Sequence, residues 1–325
     1  MSLSALLLCA GCVFGSQPQA AAPAEVISPD DAVKVVQSTY AAQAKAAAKW
    51  DVKQNDAVET SAAQQVDDAN FRFAALRRAA PPAAVPLKQA TAYVPHQRSY
   101  PAQFLALVET ASWRRLAIFR EQSAKDPWKI AFYATAPAAV PKLQVGADGF
   151  AETVPESAGP GDLAVTVSVV APAYAAFMND IIQRGKPASA TFAPGDSTTG
   201  IAGNEASHLK ELSTQGYTAR DSYADAPELG TYAYRLEDGG ALVFFTANDG
   251  MTITRTNAGE CVGQDAGFNP WGPELKPGRY RRISQTTLRM SGSIVPGVRQ
   301  ASGPQSVSVF SSLGAVVAAK GELPC

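Results

Sequence analysis

The chain has 325 residues, 46% of them hydrophobic and 18% charged, with 28 basic against 29 acidic side chains for a formal net charge of −1. It is too apolar to be disordered, long enough for two modest domains, and too evenly charged for the clustered basic surface that nucleic acid requires. Two histidines cannot build a His-rich metal site, and no apolar run reaches the roughly 18 residues of a membrane-spanning helix. Neither a cofactor nor a transmembrane anchor is expected.

The first twelve residues, MSLSALLLCAGC, carry a different anchor. Leu3 to Ala10 is a short apolar run, and Ala10-Gly11 places two small residues before Cys12. A lipoprotein signal needs small side chains at its cleavage site and a following cysteine whose thiol receives the diacylglyceryl group. Cys9 fits less well, because Leu8 occupies the position that must be small. No Lys or Arg precedes the run, a departure from the usual signal, and a buried N-terminal helix is the alternative reading. Residues 13–27 follow as a flexible tether poor in bulky apolar side chains. Two acyl chains on Cys12 suffice for stable membrane attachment.

The next segment, 28–136, reads as an N-terminal α+β domain. Ser28 is a good helix N-cap, Pro29 suits the first helical position, and Asp30 and Asp31 complement the dipole. Val33, Val36, Tyr40, Ala44 and Ala47 then recur at helical spacing, which predicts a helix to about Trp50. Two shorter helices are expected over 56–65 and 67–78, before the Pro-rich break at 79–86. The period then changes to two, predicting strands at 92–94, 103–110, 113–121 and 128–135, with a Lys125-Asp126-Pro127 turn.

Residues 137–161, rich in Pro, Gly and Ala, read as an inter-domain linker. The C-terminal α+β domain, 162–325, repeats the order. An amphipathic helix within 163–182 presents Tyr174, Phe177, Met178 and Ile181 on one face, and Gly185 and Pro187 stop it. Strands are expected at 217–221, 230–236, 241–247, 251–256, 279–291 and 307–319. Asp238-Gly239-Gly240 and Asn248-Asp249-Gly250 both read as hairpin turns, because these residues tolerate positive φ. The halves differ mildly in charge, +3 over 25–150 and −4 over 151–325, enough to favour docking on each other and too little to imply an external partner.

Cleavage removes Cys9 and lipidation consumes Cys12, leaving Cys261 and Cys325 as an even pair in a compartment that permits disulfides. A bridge between them would stabilise the fold by about 4 kcal/mol in the chain-entropy account. Two free thiols are the alternative.

The lipobox cysteine, the helix SPDDAVKVVQSTY, then KDPWKIAF and LEDGGALVFFT together resemble an uncharacterised family of actinobacterial lipoproteins, over most of the chain from Ile27 onward. By element order, each half also resembles the nuclear-transport-factor-2-like (cystatin-like) cone, with helices packed on a curved antiparallel sheet. The resemblance implies an envelope location and tandem folds, and carries no activity.

Motifs for chemistry are sparse. Ser207-His208-Leu209-Lys210 fits S-x-x-K, but its S-x-N and K-T-G companions are absent and the tetrapeptide is expected by chance. Gly200 to Gly203 reads as a flexible turn. His96, in YVPHQRSYP, reads as a water-bonded turn histidine with no acid nearby in sequence to orient it; His208 begins or occupies a polar helical stretch and likewise carries no functional reading. If a cone acts as an isomerase, dehydratase or hydrolase, its candidates are Tyr40, Asp51, Asp56, Tyr232 and Tyr234, each with a structural explanation. Phe104, Trp113, Trp128, Tyr232, Phe244 and Phe245 are candidate walls of an apolar cavity, or simply core. Tyr232, Tyr234 and Phe245, in the second half, are the preferred ligand-binding set. The expectation is a non-catalytic envelope module that binds a protein partner or an apolar small ligand. The alternatives are a cone-fold enzyme and a structural accessory protein.

Overall fold

The computed structural model describes residues 24–83, 85–257, 259–264, 275–276, 278–298, 305–323 and 325. The lipidation candidate Cys12, its competitor Cys9 and the tether up to residue 23 lie outside the described residues.

The class is α+β, with helices leading an antiparallel sheet in each half. Helix α1 spans Pro29–Ala47, with the Ser28 hydroxyl accepting from the Asp31 amide and Pro29 opening the first turn. Its buried stripe is Ala32, Val36, Thr39, Tyr40, Gln43 and Ala46, rotated from the expected one, so two polar side chains face inward. The helix stops before Trp50, whose φ of 52° no helix continues through.

The expected helices at 56–65 and 67–78 are divided differently. Asp51 caps a short α2, Val52–Asp56, and one longer helix, α3, runs Ser61–Leu76. The break between them is fixed by a sheet edge. Ile130 donates its amide to the Val58 carbonyl and Thr60 donates to the Ile130 carbonyl, both at 2.9 Å. This contact carries Glu59 into the interior.

Strands β1 (Gln89–Tyr93), β2 (Ala102–Glu109), β3 (Arg114–Glu121) and β4 (Lys129–Thr135) form an antiparallel meander in chain order. The pleat sends Phe104, Arg115, Phe119 and Tyr133 to the face under α1 and α3. Phe104 and Phe119 stack there at 4.9 Å. Phe132 points the other way, 5.6 Å from Phe244 and 6.3 Å from Tyr232 of the second half. One apolar core therefore spans both sheets, including Leu242, Phe244, Leu288 and Met290.

Residues 137–161 are stitched to both halves rather than hanging free. Ala151 donates to the Val94 carbonyl at 2.8 Å, and Val154 donates to the Ala233 carbonyl at 3.0 Å.

In the second half α4, Val170–Arg184, ends at Gly185 with φ 75°, the left-handed cap expected there. It buries Tyr174, Phe177, Met178 and Ile181 in a second core. The polar helical stretch at His208 follows as α5 (Ile201–Thr214), with only Ala202 buried. Gly200 and Gly203, expected in a flexible turn, instead sit at a π-turn and within α5.

The second sheet runs β11-β10-β7-β5, with β6 also on β7. Its strands are β5 (Tyr217–Asp225), β6 (Tyr232–Arg235), β7 (Ala241–Arg255), β10 (Arg282–Val295) and β11 (Ser308–Glu322). A small pair, β8 (Val262–Gln264) and β9 (Gly278–Tyr280), closes the molecule beside Cys261. Asp238-Gly239-Gly240 makes the expected turn, with Gly239 at φ 85° and the Gly240 amide on the Asp238 carboxylate.

Asn248-Asp249-Gly250 does not turn. β7 runs straight through it, because Asp249 is needed inside, where it accepts from Arg289 Nε at 2.8 Å. The structure joins Cys261 to Cys325 as a disulfide, with Cα atoms 5.8 Å apart and a sequence separation of 64.

Candidate functional site

Between α1, α3 and the edge of the first sheet lies a cavity of about 860 Å³. Its walls are largely apolar: Trp50, Phe71, Trp113, the alanines of the α1 face, and Pro82, Val85, Pro86 and Leu87. Each wall has a local cause. Ala41, Ala44 and Ala47 leave room where larger side chains on α1 would fill it. Trp50 is held by its indole N–H on the Ala79 carbonyl at 3.0 Å and packs edge-on against Phe71 at 5.3 Å. Trp113 ends the β2–β3 turn and packs 5.9 Å from the Tyr40 ring.

A polar cluster forms the inner end. Glu59, fully buried, accepts from the Asn55 amide at 2.7 Å and from the Gln43 amide. Gln43 also reaches Asp67 at 3.4 Å, and the Tyr133 hydroxyl donates to Asp67. Burial, then the neighbouring Asp67 charge, holds Glu59 well above the ordinary carboxylate range, favouring the protonated acid. Burial likewise raises the Tyr40 and Tyr133 hydroxyls.

Arg115 lines the cavity with its guanidinium 4.7 Å from the Trp113 ring centre and 4.4 Å from that of Tyr133. Tyr40 also lines it, and its buried hydroxyl has no hydrogen-bond partner among the described residues.

Of the cone candidates, only Tyr40 lies on this cavity. Asp51 caps α2 through the Gln54 amide, and Asp56 accepts from Gln64 at 2.6 Å. Of the aromatic wall candidates, Trp113 lines it and Phe104, Trp128, Phe244 and Phe245 do not.

The preferred ligand set is not brought together. Tyr232 and Tyr234 are buried in the core between the sheets, and Phe245 in the core under α4. Burial raises the Tyr234 hydroxyl, which lacks a hydrogen-bond partner among the described residues. No described cavity is lined by these three residues.

His96 is not water-bonded alone. Its Nδ1 meets Glu25 at 3.0 Å, its Nε2 meets Asp148 at 2.9 Å, and its ring stacks on Phe150. Those acids lie 71 and 52 residues away in sequence, so no local reading finds them. His208 is exposed on α5, where the Ser207 hydroxyl simply donates to the Gly203 carbonyl at 2.8 Å.

Sequence reading missed Glu59, Asp67, Arg115, Gln43 and Tyr133. One signal was present: Thr39 and Gln43 share the spacing of Val36 and Tyr40, and polar residues on a buried stripe demand buried partners.

A second cavity, of about 910 Å³, lies along edge strand β5 and carries Asp221, Thr252, Thr254 and Arg282. It lacks the aromatic walls of the first. Among the described residues no group of acidic, His or Cys side chains has metal-site geometry.

Fold and cavity together define an α+β protein with a semi-enclosed apolar chamber. The chain belongs to the family whose model, described as Domain of unknown function (DUF8094), matches residues 23–320. It is 31% identical over 241 residues to an uncharacterized lipoprotein of Streptomyces avermitilis, a match covering 70% of this chain and 65% of that one. It is 29% identical over 230 residues to an uncharacterized lipoprotein of Streptomyces coelicolor, covering 67% and 65%. The chain thus spans about two thirds of the length of these relatives. No solved structure matches it. The expected kinship with uncharacterised actinobacterial lipoproteins holds. No helix among the described residues is long and apolar enough to cross a membrane, and lipoprotein relatives are consistent with a lipid anchor.

Proposed function

We propose that this protein is a lipid-anchored binding protein of the outer face of the membrane, taking a small ligand with an apolar body into the chamber of its first half. The observation that carries the reading is the chamber itself, about 860 Å³ between Trp50, Phe71 and Trp113. A soluble domain gains nothing by leaving such a space unfilled, since voids forfeit packing energy, and apolar chambers of this size are the usual form of small-molecule sites.

Binding is favoured over catalysis by the position of the perturbed acid. Glu59 is fully buried and stands behind Gln43 and Asp67 rather than on the wall, out of a ligand's reach. Anchoring is supported by Ala10-Gly11-Cys12 and by the lipoprotein relatives.

Two experiments test the reading. Calorimetric titration of the full-length chain with the neutral probe 2-naphthamide is expected to show saturable binding that Ala44→Phe, filling the chamber from α1, abolishes. Unchanged binding in Ala44→Phe refutes the chamber as the site. Labelled palmitate is expected in the wild type and not in Cys12→Ser; equal labelling refutes the anchor.

A further inference from the structure

We infer that the ligand of this chamber carries a carboxylate, which Arg115 receives with the Tyr40 hydroxyl as a second donor. The inference rests on the chamber being a ligand site and adds the ligand's charge and its contact.

An arginine offers five N–H donors in a planar fork that matches a carboxylate edge to edge. Two other arginines sunk into this fold use theirs. Arg235, 13% exposed, holds Asp162 at 2.6 Å, and Arg289, 14% exposed, holds Asp249 and Glu205. Arg115 makes no ion pair and no hydrogen bond of good geometry among the described residues, although its guanidinium sits at an apolar wall. A desolvated cation left so is costly unless something completes it. Two rings, Trp113 and Tyr133, hold its plane, and the Tyr40 hydroxyl lies beside it.

The Tyr40 hydroxyl is the second incomplete group on the same wall. It is buried, accepts no hydrogen bond of good geometry and donates none among the described residues, and lies beside the Arg115 guanidinium; burial raises it, so it remains a donor.

The charges on the wall also favour an anion. Arg115 and Lys88 line the chamber against a single acid, Asp67, whose oxygens already accept from Tyr133 and Gln43. Glu59 behind it favours its protonated form. One guanidinium and one phenol suit a monoanion, and the remaining walls suit an apolar or aromatic body.

The test compares 2-naphthoate with 2-naphthamide, which share a body and differ in head charge, by calorimetry on the full-length chain. Wild type is expected to prefer the carboxylate by about tenfold or more, the factor that one charge-assisted contact supplies. Arg115→Met is expected to erase that preference, with an unchanged circular dichroism spectrum and urea midpoint showing that the variant is folded. Arg115→Lys is expected to keep part of the preference, and Tyr40→Phe to narrow it by a few-fold. Equal affinity for both probes in the wild type, or a preference that survives Arg115→Met, overturns the carboxylate and leaves the chamber standing. Binding of neither probe to the wild type overturns the chamber reading and this inference with it.

Discussion

Arg289 on β10 donates to one carboxylate oxygen of Asp249 on β7 through both Nε, at 2.8 Å, and Nη2, at 2.5 Å. The pair is 14% and 5% exposed, and Glu205 of α5 meets the same Nη2 at 2.9 Å. Tyr223 adds a hydroxyl to the same Asp249 oxygen at 3.2 Å. Arg289→Met strands these acids without their cation, so unfolding free energy is expected to fall by about 3–5 kcal/mol, read by urea denaturation. A loss under about 1 kcal/mol contradicts this role for the pair.

Asp221 belongs to the same cluster. Burial, then the Asp249 charge, pushes its carboxyl up to about 8. The folded chain thus keeps a proton that the unfolded chain releases at an ordinary carboxyl pKa. The stabilisation is complete below the unfolded value and declines as pH rises from about 4 through about 8. Asp221→Asn is expected to be more stable than wild type at about pH 9, by roughly 1–3 kcal/mol, and to match it near pH 4. Urea midpoints that track the wild type at both pH values contradict the assignment.

The Cys261–Cys325 bridge closes 64 residues of chain and ties the last residue to the β8–β9 corner. Reduction, or the double Cys261→Ser, Cys325→Ser variant, is expected to cost about 4 kcal/mol of unfolding free energy. Identical denaturation curves with and without reductant contradict it.

His96 should titrate above a free histidine, because Glu25 first and Asp148 second hold its protonated form. Its contribution is present below the unfolded pKa and fades as pH rises through the folded one. NMR titration of the ring is expected to show this raised pKa, lowered by Glu25→Gln. An unchanged titration in that variant would mean that Glu25 does not clasp the ring in solution.

Much of the fold was legible because local rules were obeyed. Ser28-Pro29-Asp30-Asp31 starts α1, Gly185 ends α4, and Asp238-Gly239-Gly240 turns between β6 and β7. What misled were residues serving partners distant in sequence. Asn248-Asp249-Gly250 has turn chemistry, yet Asp249 is held straight by Arg289, forty residues on. α5 buries a single alanine, so it has no apolar stripe, and only the polar helical stretch at His208 marks it. The chamber was harder still. Tyr40 and Trp113 are visible as aromatics, but Glu59 enters only because residues 58–60 dock on Ile130, and nothing in the 113–121 strand pattern sets Arg115 apart.

The most direct test of the ligand chamber is a crystal structure of the chain soaked with 2-naphthoate. The account predicts the carboxylate within about 3 Å of the Arg115 guanidinium, with the ring system between the walls of Trp50, Phe71 and Trp113. A chamber closed by its own side chains, or one left without the ligand while naphthoate sits elsewhere on the protein, contradicts it.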